Sequence, residues 1–248
     1  MQRLTSDNHI IPFLDVHLKE NSKVCEVGCA EAGTLKAFLD QGHSCVGIEL
    51  SESRLLLAKE NLKAEEKEGR AHLFNKNIFD TDLLEVLPYK FDLIILKDVI
   101  EHLPDKTKVL QVLKACLNPG GVVFFAFPPW WMPFGGHQQA AKSKFLKNFV
   151  YVHLLPKFIY KNLLKMANES DSAIQELMEL TDTGINIGPM RTLLRKEGFT
   201  ILADKHWLFN PIYEYKFKLK PKTVIPPFRN IPLIRNLYTT CYYVVFRP

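Results

Sequence analysis

The stretch Val24-Cys25-Glu26-Val27-Gly28-Cys29-Ala30-Glu31-Ala32-Gly33, followed by Val46-Gly47-Ile48-Glu49, narrows the folds open to this chain more than any other feature. An apolar strand runs into a tight turn of small residues, a helix follows, and a second strand closes on a carboxylate. Small residues let the backbone approach a ligand closely, and the helix behind them presents unpaired N–H groups. A carboxylate at the end of the second strand can accept hydrogen bonds from both hydroxyls of a ribose. These parts make the nucleoside-binding half of a doubly wound α/β sheet.

A dinucleotide site calls for G-x-G-x-x-G, which lets the backbone touch a pyrophosphate. The register here is E-x-G-x-A-x-x-G, with Glu26 two residues before Gly28, then Ala30 and Gly33. A carboxylate in that place repels a pyrophosphate but suits a ligand carrying a sulfonium and an ammonium. A nucleotide-dependent oxidoreductase is disfavoured on that ground. An ordinary strand-turn-helix without a nucleotide is the plain alternative that the turn alone leaves open.

The order of the following elements is more specific. Phe91-Asp92-Leu93-Ile94-Ile95-Leu96 is a nearly continuous apolar run of strand length, the pattern of a strand buried on both faces. Lys97-Asp98-Val99-Ile100-Glu101-His102-Leu103-Pro104-Asp105 follows, then a helix over Thr107 to Leu117. Asn118-Pro119-Gly120-Gly121 reads as a stop and turn before a further strand, Val122 to Phe127. With EVGCAEAG, FDLIILKDVIEHLPD and LNPGGVVFFAFP in this order, the chain resembles the class I S-adenosylmethionine-dependent methyltransferases. The resemblance covers roughly residues 20 to 130 and resumes near residue 188.

That resemblance implies a doubly wound, seven-stranded, mostly parallel sheet, S-adenosyl-L-methionine as cofactor, and methyl transfer by direct displacement. It places Glu26, Gly28, Ala30, Gly33, Glu49, Asn77, Ile78 and Lys97 at the cofactor. The family commonly has glycine where Ala30 stands and often where Ala32 stands; alanine fits there if the backbone keeps a negative φ. It often has Asp where Asn77 stands, and an asparagine can still accept through its side-chain oxygen. A turn-forming residue without a ligand is the other reading of Asn77.

One domain of 248 residues, 47% hydrophobic, has enough apolar material for such a core. The five cysteines (Cys25, Cys29, Cys45, Cys116, Cys241) are odd in number, and no second pair or histidine follows Cys25 and Cys29 at zinc-ligand spacing. We read them as buried free thiols in a reducing, cytoplasmic setting, with no metal site. No run approaches the roughly 18 apolar residues of a membrane span, and the N-terminus lacks a signal-peptide core.

Substrate information is expected in two insertions. Residues 130–187 follow Pro128-Pro129 and begin with the aromatic, glycine-hinged Trp130-Trp131-Met132-Pro133-Phe134-Gly135-Gly136-His137, at the carboxyl edge of a strand, where open sheets hold ligands. Between Lys106 and Asn168 stand nine lysines and no acid. The region reads either as a basic cap for a small, sugar- or lipid-linked acceptor, resting in one version on anionic lipid, or as a solvated helical lid. Nucleic acid is disfavoured, since a pI of 8.8 is modest and no RNA-binding module is present. Residues 207–240, rich in Pro, Tyr and Lys, separate the last two strands by too much chain for a hairpin loop.

Transfer to a hydroxyl needs removal of a proton, and histidine is the usual agent near neutral pH. His137 is the first candidate and His102 the second, each with a purely structural alternative. A protein that binds S-adenosylmethionine without catalysis is the competing reading of the whole chain.

Overall fold

The computed structural model describes residues 1–248, which build an eight-stranded sheet in the order β3-β2-β1-β4-β5-β8-β6-β7. The strands are β1 (Lys23–Val27), β2 (Ser44–Glu49), β3 (Ala71–Asn75), β4 (Phe91–Lys97), β5 (Leu117–Phe127), β6 (Thr200–Phe209), β7 (Lys222–Thr223) and β8 (Cys241–Arg247). The first five pair in parallel, and β8 lies antiparallel between β5 and β6. All seven expected strands are present. The eighth, β7, adds two residues at the edge, against Trp207 and Phe209.

Sequence pattern explains the layering. Successive apolar residues on β4 serve opposite faces: Leu93 and Ile95 enter one core, Ile94 and Leu96 the other. The first face is covered by a helical segment at residues 2–17, by α1 (Gly33–Asp40) and by α2 (Glu52–Asn61). On the second face lie α3 (Lys106–Cys116) and, further along the chain, Ile187, Met190 and Leu194. Ser51 caps α2 by accepting from the Arg54 N–H, and Asp105 caps α3 by accepting from the Lys108 N–H at 2.9 Å. α2 ends at its C-cap Leu62, and a short further helix, Lys63–Lys67, follows it.

One boundary departs from expectation. Asn118 to Gly121 do not form a turn between elements: β5 starts at Leu117 and carries them as an irregularity, the register shifting between the Phe91 and Leu93 pairings. The N-terminal helical segment begins at Gln2.

Both insertions fold over the carboxyl ends of the strands. The first contains α4 (Lys157–Met166) and α5 (Asp171–Thr183), which share a small core of Tyr160, Leu164, Ile174 and Leu177 and lead into α6 (Ile187–Lys196). Its ends are held by the Trp130 N–H to the Ile185 carbonyl (3.0 Å) and by Lys106 Nζ, which donates to the carbonyls of Leu103 (2.7 Å) and Thr183 (2.6 Å). The second contains α7 (Ile212–Phe217), a helix at Pro226–Asn230 and α8 (Pro232–Tyr238). The N-terminal segment grips α7: Asn8 Nδ2 donates to the Tyr215 hydroxyl at 2.7 Å, and His9 Nε2 lies 3.3 Å from Glu214 Oε2. All five cysteines are buried and unpaired, and no helix is long and apolar enough to cross a membrane.

Candidate functional site

The turn after β1 is wound left-handed at three residues: Gly28 (φ +72°), Ala30 (φ +49°) and Ala32 (φ +60°). This corrects the expectation that alanine is tolerated there through negative φ. For alanine that region costs roughly 1–2 kcal/mol per residue, so the chain keeps the family's turn geometry with strain at two positions. Gly28 is required twice over, because a Cβ there would also stand 2.5 Å from Val99 Cγ2 on the loop after β4. Gly33 has ordinary backbone geometry. A Cβ on it would meet the Gln2 side chain at 2.9 Å, so its smallness admits the N-terminal segment over the start of α1.

Glu49, buried at the end of β2, holds the turn from the other side. Its Oε2 accepts from the Ala30 N–H at 2.9 Å and its Oε1 from the Ser51 N–H at 2.8 Å. Each oxygen keeps a lone pair, enough for two hydroxyl donors. Asn75 Nδ2 fixes the strand end by donating to the carbonyls of Glu49 (2.9 Å) and Leu50 (3.0 Å). Leu50 itself is 68% exposed, an apolar surface beside Glu49 that the sequence reading did not single out.

Glu26 lies 3% exposed beneath this turn, and its Oε2 has no hydrogen-bond partner. Burial pushes its pKa up to about 8 against the opposing pull of Lys97 and of Thr34 and Leu35 in the first turn of α1. Lys97, at the end of β4, has a side chain only 9% exposed but is spent on Asp98, with Nζ to Oδ2 at 2.9 Å. Despite burial its ammonium is held above its ordinary pKa by Asp98 and Glu26.

Asn77 and Ile78 stand at the carboxyl end of β3. Asn77 Oδ1 accepts from the Phe79 N–H at 3.0 Å while its own N–H donates to Asp80 Oδ2 at 2.9 Å, an Asx turn that shapes the loop. The Ile78 side chain is part of the second core.

Beyond β4 and β5 the two predicted histidines meet. Their ring centroids are 5.1 Å apart, and His137 Nε2 lies 3.8 Å from Glu101 Oε1. Although His102 is exposed on one side, loss of hydration beneath it lowers its pKa to about 4, with His137 adding, and partial burial likewise lowers that of His137. Both rings are therefore neutral at pH 7 and offer electron pairs. Glu101, which the sequence reading passed over, is the most deeply buried of the three. No spacing in the sequence links it to His137; the loops after β4 and β5 bring them together. Trp130 stacks edge-on against His153 at 4.6 Å and roots the first insertion.

A cavity of about 420 Å³ opens between the insertions, lined by Met132, Phe134, Phe209, Tyr213, Phe217 and Tyr238 among others. Tyr213 also faces the end of β4: burial first, then Cys241 and Asp98, push its pKa up to about 12. Phe134 and Gln139, which flank His137 in the chain, also line the pocket.

Comparison with known proteins agrees with this geometry. A family model described as "Methyltransferase domain" matches residues 4–147, which include the turn after β1, Glu49 and Glu101. A ubiquinone biosynthesis O-methyltransferase of Pseudomonas syringae pv. tomato is 30% identical over 104 residues, 42% of this chain and 43% of that protein. The chain thus aligns with under half the length of the curated relatives it matches. Among solved structures, an S-adenosylmethionine-dependent methyltransferase from Clostridium acetobutylicum superposes with a TM-score of 0.60 at 11% identity, covering 99% of this chain and 91% of that one. A putative sarcosine dimethylglycine methyltransferase from Galdieria sulphuraria gives 0.58 at 16% identity, covering 98% and 85%. At such identities the likeness is one of fold. With more than half of its length matched by the family model, the chain belongs to the methyltransferase-domain family.

Proposed function

We propose that this protein is an S-adenosylmethionine-dependent methyltransferase that methylates an oxygen of an apolar small-molecule or lipid-linked acceptor. The observation that carries the cofactor assignment is the buried Glu26 carboxylate with an unpartnered oxygen, lying under a left-handed turn and beside Glu49. A buried carboxyl with a free oxygen in that position fits a cationic ligand, which would favour its ionised form. The bound cofactor supplies a methyl group on a sulfonium, already activated for displacement.

The chain's own residues then have separable tasks. Glu49 receives the ribose hydroxyls while its bonds to Ala30 and Ser51 keep the turn in place. Glu26 answers the ammonium of the amino-acid end. Asn77 and Ile78 border the base through backbone groups of their Asx turn, and Leu50 offers the base an apolar wall. Lys97 holds Asp98 at the end of β4. Positioning and exclusion of water are the main contributions available, worth about 7–11 kcal/mol at best. His102 and His137 are the electron-pair donors at hand for activating an acceptor hydroxyl.

Oxygen as the acceptor atom is supported by the Pseudomonas relatives, which are named as O-methyltransferases of ubiquinone biosynthesis. An apolar acceptor is supported by the cavity that both insertions line. A peripheral contact with anionic membrane is supported by the first insertion's surface. Phe145, Phe149, Phe158 and Met166 are exposed there among lysines, Phe158 by 69%. Incubation with methyl-labelled S-adenosylmethionine and a panel of hydroxylated apolar acceptors tests the function. Label in a methyl ether supports it; binding of cofactor with no transfer to any acceptor class supports the non-catalytic alternative.

A further inference from the structure

Glu101 poses a problem that the methyltransferase reading does not solve. The carboxyl group is 2% exposed and neither oxygen has a hydrogen-bond partner. An isolated buried carboxylate is among the most costly groups a protein can carry, and it normally has an ion or a donor beside it. The two cations in its neighbourhood are both committed elsewhere, Lys97 to Asp98 and Lys106 to the carbonyls of Leu103 and Thr183. His137 Nε2, at 3.8 Å, is too far for a hydrogen bond to Oε1.

One ligand atom from each of Glu101, His102 and His137 lies within 4.8 Å of the other two. Donors around a common ion at the usual bond lengths of roughly 2.0–2.2 Å stand about 3 Å apart, so side-chain adjustments of about an ångström would close the set. Asp98 faces the same group and adds negative charge without itself being buried. We propose that Glu101, His102 and His137 form a binding site for a divalent first-row transition cation. Two imidazoles and one carboxylate favour such an ion over magnesium or calcium, which prefer oxygen donors throughout. Three protein ligands leave further coordination positions open.

The loop that carries His137 also lines the apolar cavity, through Phe134 and Gln139. Resting on the proposed function, the ion would bind the acceptor hydroxyl and lower its pKa, so that the hydroxyl proton leaves to solvent before the oxygen takes the methyl group. The imidazole electron pairs then go to the ion, and the histidines act through it. The cysteine spacing in the sequence gave no hint of this site, because its members come from two loops.

Titration of tag-free, chelator-treated protein with cobalt(II), followed by visible absorption and calorimetry, tests the site without any acceptor. One equivalent should bind, with ligand-field bands in the visible, and zinc(II) should displace it. Glu101→Gln and His137→Ala should each weaken cobalt binding at least tenfold, whereas His17→Ala, remote on the N-terminal segment, should not change it. Circular dichroism and binding of S-adenosylhomocysteine, measured on each variant, separate loss of the site from loss of the fold. Absence of cobalt uptake by the wild type, or uptake unchanged in folded Glu101→Gln and His137→Ala, overturns the metal site. Protein that binds cobalt but no S-adenosylhomocysteine leaves the site standing and overturns the proposed function instead.

Discussion

Cofactor binding should expel a proton from Glu26. In the free protein burial pushes this carboxyl up to about 8 from its usual 4.5. That shift corresponds to ~5 kcal/mol favouring the neutral form. At pH 7 the group is thus protonated in about nine molecules of ten. A ligand whose ammonium sits beside it favours the carboxylate and pulls the pKa back down. Binding of S-adenosylhomocysteine, which has the ammonium but no sulfonium, should therefore release about 0.9 proton at pH 7. The affinity should rise about thirtyfold between about pH 5.5 and about pH 7, below the range where the ligand's own amine titrates. Calorimetry in two buffers of different ionisation enthalpy measures the proton count directly. Glu26→Gln should bind more weakly, release no proton and show no such pH dependence. The same shift acts on the free protein: its folded state holds the proton more tightly, so this stabilisation is full below about 4.5 and is lost as the pH rises through about 8. Proton uptake, or a wild-type affinity flat across that range, would refute the reasoning.

Ala30→Gly relieves a left-handed alanine and should raise stability by up to about 1 kcal/mol in urea unfolding, with Ala30→Val moving the other way. Lys106, whose pKa burial lowers to about 8, has the opposite linkage sign from Glu26: relative to Lys106→Met, wild-type stability should rise between about pH 8 and the ordinary lysine value of 10.5. That comparison is read from denaturant midpoints. Replacing Lys144, Lys147, Lys161 and Lys165 by Gln should weaken sedimentation with anionic liposomes and flatten its salt dependence, leaving cofactor binding unchanged. Lys157 is left unchanged in that variant because it is paired with Asp182. Wild-type protein that ignores anionic liposomes at low salt removes the membrane contact.

Much of the architecture could be read from the chain because a sheet buried on both faces writes itself as apolar runs. β1, β4, the core of β5 and β8 are such runs, and Glu49 closes β2 where the pattern predicts. Features set by distant packing could not be read. The positive φ of Ala30 and Ala32 follows from the closure of the turn onto Glu49, not from any preference of alanine. Pro119 and the glycines after it look like a stop, yet pairing with β4 draws them into β5. Gln2 lies over Gly33, and Asn8 reaches Tyr215 some two hundred residues further along the chain. Glu101 reads as one more acid in a polar loop, and only the fold shows it buried against His137.

Binding of S-adenosylhomocysteine and NAD to wild type and to Glu49→Ala, compared by calorimetry, tests the cofactor assignment most directly. The account predicts saturable one-to-one binding of S-adenosylhomocysteine to the wild type and none of NAD. Glu49→Ala should weaken that binding by about 1.5–3 kcal/mol, the range for hydrogen bonds to a charged group. Equal affinity of wild type and Glu49→Ala, or binding of NAD in place of S-adenosylhomocysteine, would contradict it.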